Sequence, residues 1–165
     1  MKGISESFKT RANEAAFWEA WVGSVLSRAN LYTIHFPFAA DGKDNHALSW
    51  DLSVATTWDG PYIPVECKSL SAEFLGPDSY PYERVLTCSL NSWTKKWGKN
   101  RETQRDFLFI SKPTGCIVWL PTGVTVTETK VTDRSRGETY GSLQCDRKAL
   151  RPFFDFIEHV KESAK

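Results

Sequence analysis

The sequence is short of the features that usually announce a ligand or a compartment. Its formal net charge is only +1 over 165 residues, so no global basic field marks it for nucleic acid, and any such contact must come from a local patch. The four cysteines, Cys67, Cys88, Cys116 and Cys145, lie far apart with no C-x-x-C spacing. That excludes the usual thiolate zinc frameworks and leaves free thiols in a reducing cytoplasm as the expectation. No apolar run is long enough to span a bilayer, and the opening MKGISESFKTRANEAAF lacks the apolar centre of a signal peptide, so a cytoplasmic protein without a membrane partner is expected. Repeats, low-complexity tracts and linkers are also missing. What is present is an ordinary globular composition, 41% apolar and 25% charged, sufficient for one domain with a real core. The 7 Trp and 10 Phe are many for this length. Most should be core, and an exposed cluster of them would suit a dimer face.

Residues 7–29 carry Ala15, Trp18, Val22, Val25, Leu26 and Ala29 at three- and four-residue steps, which predicts an amphipathic helix stopped at Asn30. Glu14 and Glu19 flank that stripe. A strand is predicted over 31–36, ended by Pro37, followed by a polar loop that includes His46; His35 and His46 are both weighed as ligands or bases. Residues 49–70, SWDLSVATTWDGPYIPVECKSL, predict two strands around an Asp59-Gly60 turn. Leu48, Trp50, Leu52 and Val54 share one parity, Asp51 and Ser53 the other. Past the turn, Ile63, Val65 and Cys67 alternate with Glu66 and Lys68. An irregular stretch with Gly76, Pro77, Tyr80 and Tyr82 follows, positioned to line a substrate groove or to pack on the core. A helix is predicted over 83–99 from Val85, Leu86, Cys88, Leu90, Trp93 and Trp97, ending at Gly98. Its end is basic: Lys95, Lys96, Lys99, Arg101 and Arg105 are the phosphate-contact candidates, although cations also suit any helix C-terminus. Strands are predicted over 107–110 and 116–120. Beyond them come an alternating VTVTETKVT strand, a DRSRG turn bearing Arg134 and Arg136, and a return strand. Asp146 caps the approach to a final helix begun by Pro152.

One hairpin face thus gathers Asp51, Glu66 and Lys68. Two carboxylates on rigid strands suit a hard divalent cation such as magnesium, which takes oxygen ligands and keeps several waters. A lysine two residues beyond one of them can orient a water and stabilise developing phosphate charge. Metal-assisted phosphodiester hydrolysis uses these parts. The same spacing also occurs as a solvated Glu-Lys pair on a surface strand.

Asp51, then Glu66-Cys67-Lys68 closing an apolar strand and followed by Ser69, resembles the PD-(D/E)xK nuclease superfamily, with restriction-endonuclease-like and Holliday-junction-resolvase-like members. The Pro of that motif is missing, since Trp50 precedes Asp51. The order helix, strand, hairpin, helix, strand, strand over residues 10–121 resembles the superfamily's αβββαβ core. The fold class expected is therefore α/β, a mixed central sheet flanked by helices, as one nuclease domain with a C-terminal hairpin and helix (residues 122–165) as an appendix.

The resemblance implies magnesium, with manganese as a substitute, held by Asp51, Glu66 and the backbone carbonyl of Cys67. It favours Glu19, with Glu14 as the alternative, as a further carboxylate, directly or through water, since junction-resolving relatives show a helix Glu before an apolar stripe and a first strand. Lys68 would position the attacking water, and the catalytic set is Asp51, Glu66, Lys68 and Glu19. The substrate implied is duplex or branched DNA, with RNA left open, cut by a homodimer. Two other readings stand beside this magnesium-dependent endonuclease: an inactive nuclease-fold module that binds nucleic acid or a protein, and an unrelated α/β protein in which E-x-K is coincidence.

Overall fold

The computed structural model describes residues 6–35, 50–134 and 137–165. Its elements are α1 (Glu6–Arg28), β1 (Tyr32–His35), β2 (Leu52–Ala55), β3 (Ile63–Leu70), β4 (Arg84–Ser89), α2 (Leu90–Trp97), β5 (Asp106–Ser111), β6 (Ile117–Leu120), β7 (Thr127–Asp133), β8 (Glu138–Asp146), β9 (Arg151–Pro152) and α3 (Phe153–Glu162). The protein is α/β with a mixed central sheet. Six strands run in the order β1-β2-β3-β5-β6-β9, and a second sheet is ordered β4-β8-β7.

The first three strands form an antiparallel meander. β5 then lies parallel to β3, pairing Glu66 with Phe107 and Lys68 with Phe109. A parallel neighbour requires a long crossover, here the segment containing β4 and α2. Asn30 ends α1 as predicted, at φ 61, a left-handed conformation that Asn tolerates better than most residues. Gly60, at φ 88, makes the β2–β3 turn, its N–H donating to Thr57 O at 3.2 Å.

Alternation along the strands divides the core in two. On one face of the main sheet, Val22 and Leu26 of α1 and Phe156 and Val160 of α3 pack on Leu52, Val54, Val65, Leu108 and Ile110. On the other, Trp93 of α2 and Val85, Leu143 and Cys145 of the second sheet pack on Phe107, Phe109, Val118 and Leu120. α3 is further anchored at Asp106, which is buried; Trp119 Nε1 donates to its Oδ1 at 2.8 Å and His159 stands 3.9 Å from its Oδ2. All four cysteines are free thiols, and no helix is long and apolar enough to cross a membrane among the described residues.

Three expectations need correction, and one left open is decided. Residues 83–99 are a strand followed by a helix. Val85 and Thr87 are buried while Leu86 is exposed, a period-two pattern, and only Leu90, Trp93 and Trp97 belong to the helical stripe. Ser89 starts α2, its hydroxyl accepting from Ser92 N–H at 3.2 Å. The C-terminal part is no appendix: β8 pairs with β4, Leu143 and Cys145 join the second core, and β9 extends the main sheet. Of the two readings left open for Tyr80 and Tyr82, Tyr80 takes the core one, buried against Phe74 and Phe109, while Tyr82 is exposed. Finally, Ala15 is exposed, and Glu19 occupies the buried face of α1 with Val22 and Leu26. Phe36, Pro37, His46, Leu48 and Arg136 lie outside the described residues.

Candidate functional site

The carboxylates gather where β2 begins beside the middle of β3. Asp51 sits at a bend just ahead of β2, its N–H donating to Val65 O at 3.1 Å. Its side chain folds onto β3, where Oδ2 accepts from Cys67 N–H at 2.7 Å. The N–H and C=O of a strand residue point to the same edge, so the Cys67 carbonyl also faces the side of β3 that Asp51 occupies. The bend breaks the expected parity. Leu52 and Val54 enter the first core, whereas the Trp50 indole donates to Ser53 Oγ and stacks with the Arg105 guanidinium.

Glu66 is buried and its Oε1 accepts from two cations, Lys96 Nζ at 2.6 Å and Arg105 Nη1 at 3.3 Å. Arg105 also lies over two rings, its Cζ 4.8 Å from the Trp50 centroid and 5.8 Å from that of Trp97. Lys68, two residues along the same face of β3, lies close enough to Asp51 for its charge to favour the carboxylate. Burial, first, and then the negative charge of Glu66 push the Asp51 carboxyl up to about 7; the Cys67 hydrogen bond and Lys68 oppose this, and Glu19 adds to it. Burial and the surrounding carboxylates likewise raise the Cys67 thiol, which disfavours the nucleophilic thiolate.

Glu19 approaches from α1, on the side of the sheet opposite α2. Its Oε2 is 2.6 Å from His35 Nε2. Glu14, the alternative, is elsewhere: it is exposed and pairs with Lys112 in the β5–β6 turn. Of the two, only Glu19 has a charge that reaches Asp51. Glu19 was expected to contribute directly or through water; among the described residues no three His, Cys, Asp or Glu side chains form a group that could hold a metal ion. Asp51 and Glu66 lie near enough for the charge of one to act on the other, and the charge of Glu19 also reaches Asp51.

The basic run divides into three. Lys96 and Arg105 turn inward onto Glu66. Arg101 is tied to Glu128 Oε1 at 2.6 Å. Lys95 and Lys99 are exposed, as is Arg134 at the β7–β8 turn. Sequence reasoning missed that Lys96 and Arg105 are partners of Glu66, since residues 30 and 39 positions apart meet only through the β3–β5 crossover. It also missed Trp50 as a platform. The available signal was its position directly before Asp51, where an apolar core residue would be displaced by the bend.

Compared with protein families, with characterised proteins and with solved structures, the chain matches none.

Proposed function

We propose that the protein is a magnesium-dependent endonuclease hydrolysing phosphodiester bonds in DNA, built on a PD-(D/E)xK-type core. The observation that carries this reading is the Asp51 carboxylate, lodged against β3 beside Glu66 with its ionisation opposed by burial and by that neighbour. Such a pair is relieved by a shared cation. The order α1, β1–β3 meander, crossover with α2 and then β5 supports it, since it follows the αβββαβ order the resemblance implies apart from the added strand β4.

The donor set fits magnesium, which is commonly held by one or two carboxylates and completes its shell with water. Asp51, Glu66 and the Cys67 carbonyl would hold it directly, and Glu19 through water, fixed by His35. Bound magnesium would supply a Lewis acid that acidifies water and neutralises phosphoryl charge. Lys68 orients the attacking water and faces the charge that develops on phosphorus. Lys95 on the exposed side of α2 and Lys99 just beyond its end contact the nucleic-acid backbone.

A second reading has its own observation: Glu66 is already neutralised by Lys96 and Arg105, as it would be in a module that binds nucleic acid without cutting it. Incubating branched, linear duplex and single-stranded DNA with the wild type and Lys68→Ala, in magnesium and in chelator, separates them. Endonuclease activity predicts cleavage only with magnesium and only by the wild type. Binding without cleavage in magnesium or manganese, or undiminished cleavage by Lys68→Ala, overturns the proposal.

A further inference from the structure

α1 carries apolar side chains on two faces. One packs on the core through Val22 and Leu26. The other is turned outward: Thr10, Glu14, Phe17, Trp21, Ser24 and Arg28 are all exposed and follow one another at alternating steps of four and three residues. That alternation is the spacing of a coiled-coil seam, here ~27 Å long at the rise of an α-helix. Its centre is aromatic, with Phe17 62% and Trp21 37% exposed. Two large rings one helical turn apart form a joined patch rather than scattered surface residues, and the exposed Ala20 between them is small enough for a second helix to come close. Both rings are already fixed by their own chain. Phe17 stands edge-on to Trp18, the centroids 5.2 Å apart, and Trp21 Nε1 donates to Gly115 O in the β5–β6 turn at 3.4 Å. Rings held in this way lose little freedom on burial, which suits them as interface anchors.

We propose that this face of α1 pairs with the same face of a second copy of the chain, the two helices running antiparallel about a two-fold axis midway between Phe17 and Trp21. About that axis Phe17 lies opposite the partner's Trp21, Glu14 opposite the partner's Ser24, and Thr10 opposite the partner's Arg28. Charge is what selects a second copy and this direction. Glu14 and Arg28 stand toward opposite ends of the seam, so antiparallel pairing sets each Glu14 within one helical turn of the partner's Arg28, twice per dimer. Parallel pairing would instead stack like charges. Lys112 pairs with Glu14 within the single chain, yet the Glu14 side chain stays 47% exposed, which leaves room for a second cation. A contact of this kind is self-complementary and closes at two copies. Glu19 is on the buried face of the same helix, so the pairing uses none of the residues assigned to the candidate site and stands whatever that site does.

Sedimentation velocity of the full chain at rising concentration tests this. The wild type should pass from monomer to dimer in the micromolar range, as a modest interface does. Phe17→Ala should weaken the dimer about a hundredfold, roughly tenfold for each of the two rings lost. Ser24→Glu sets a like charge opposite the partner's Glu14 and removes no apolar group, and it should weaken the dimer too. Urea unfolding of both variants checks that the fold is intact, and Ser24→Glu decides the matter if Phe17→Ala disturbs it. Glu14→Arg and Arg28→Glu should each weaken association, while the double variant, which restores the pair in reverse, should dimerise more tightly than either single. A monomer at every concentration up to several hundred micromolar overturns the proposal in favour of a different partner for this face. A dimer that Phe17→Ala and Ser24→Glu leave as tight as the wild type places the interface elsewhere and also overturns it. A double variant no tighter than the single ones overturns the antiparallel pairing.

Discussion

Asp51→Asn should make the metal-free protein more stable at neutral pH and less so, in relative terms, in acid. The carboxyl rises from 3.8 to about 7 on folding, so the folded state holds the proton more tightly than the unfolded chain does. A group of this kind contributes stability that is complete below its unfolded value and is lost as pH climbs through its folded value. At about 1.4 kcal/mol for each tenfold change in proton affinity, that rise bounds the loss at about 4 kcal/mol. Asp51 keeps some contact with solvent, which reduces the figure to about 2–4 kcal/mol. Asn keeps an oxygen to accept from Cys67 N–H and does not titrate. The assay is urea unfolding by tryptophan fluorescence in chelator from pH 4 to pH 8, for both proteins. The variant's advantage should grow by about 2–4 kcal/mol between the acid and neutral ends, worth roughly 2–4 °C in Tm per kcal/mol for a domain of this size. A difference between the two proteins that stays constant across the range would refute the reasoning, because it would mean that Asp51 ionises as readily folded as unfolded.

Other outcomes follow from the geometry. Glu19→Gln should weaken calcium binding about tenfold or more, as loss of an outer-shell partner does, while Glu14→Gln, which only breaks a surface pair with Lys112, should leave it unchanged; calorimetry on both variants checks this. Gly115→Ala places a Cβ 3.3 Å from Trp21 Cζ2 at φ +70, and should cost about 1–2 kcal/mol in chemical unfolding. Arg101→Ala removes a part-exposed pair with Glu128 and should change stability by no more than about 1 kcal/mol in the same assay.

The elements most legible in the sequence were those whose periodicity had a single interpretation. The β2–β3 hairpin was framed by Asp59-Gly60, and Glu66 and Lys68 kept the parity that alternation assigned them, whereas the bend ahead of β2 sets Trp50 and Asp51. α1 ended at Asn30 because that residue can turn left-handed. Residues 83–99 failed because Val85, Leu86, Cys88 and Leu90 satisfy a helical stripe and a half-buried strand equally, and pairing with β8 decided the matter. The appendix was misjudged for a related reason. An alternating exposed strand such as β7 gives no hint that its neighbour β8 covers Phe107 and Phe109. The stripe alone did not separate Glu14 from Glu19, because both lie near it and a shift of one helical step decides which is buried; the resemblance favoured Glu19, which is the buried one. The inward turn of Lys96 and Arg105 was invisible, since a run of cations at a helix end reads as solvated until the crossover carries it over Glu66.

The most direct test of the central claim is anomalous diffraction from crystals soaked with manganese. A single peak about 2.1 Å from carboxylate oxygens of both Asp51 and Glu66, and absent in Asp51→Asn, is the predicted result. A manganese ion bound elsewhere, or one that persists at β3 after that substitution, would contradict it.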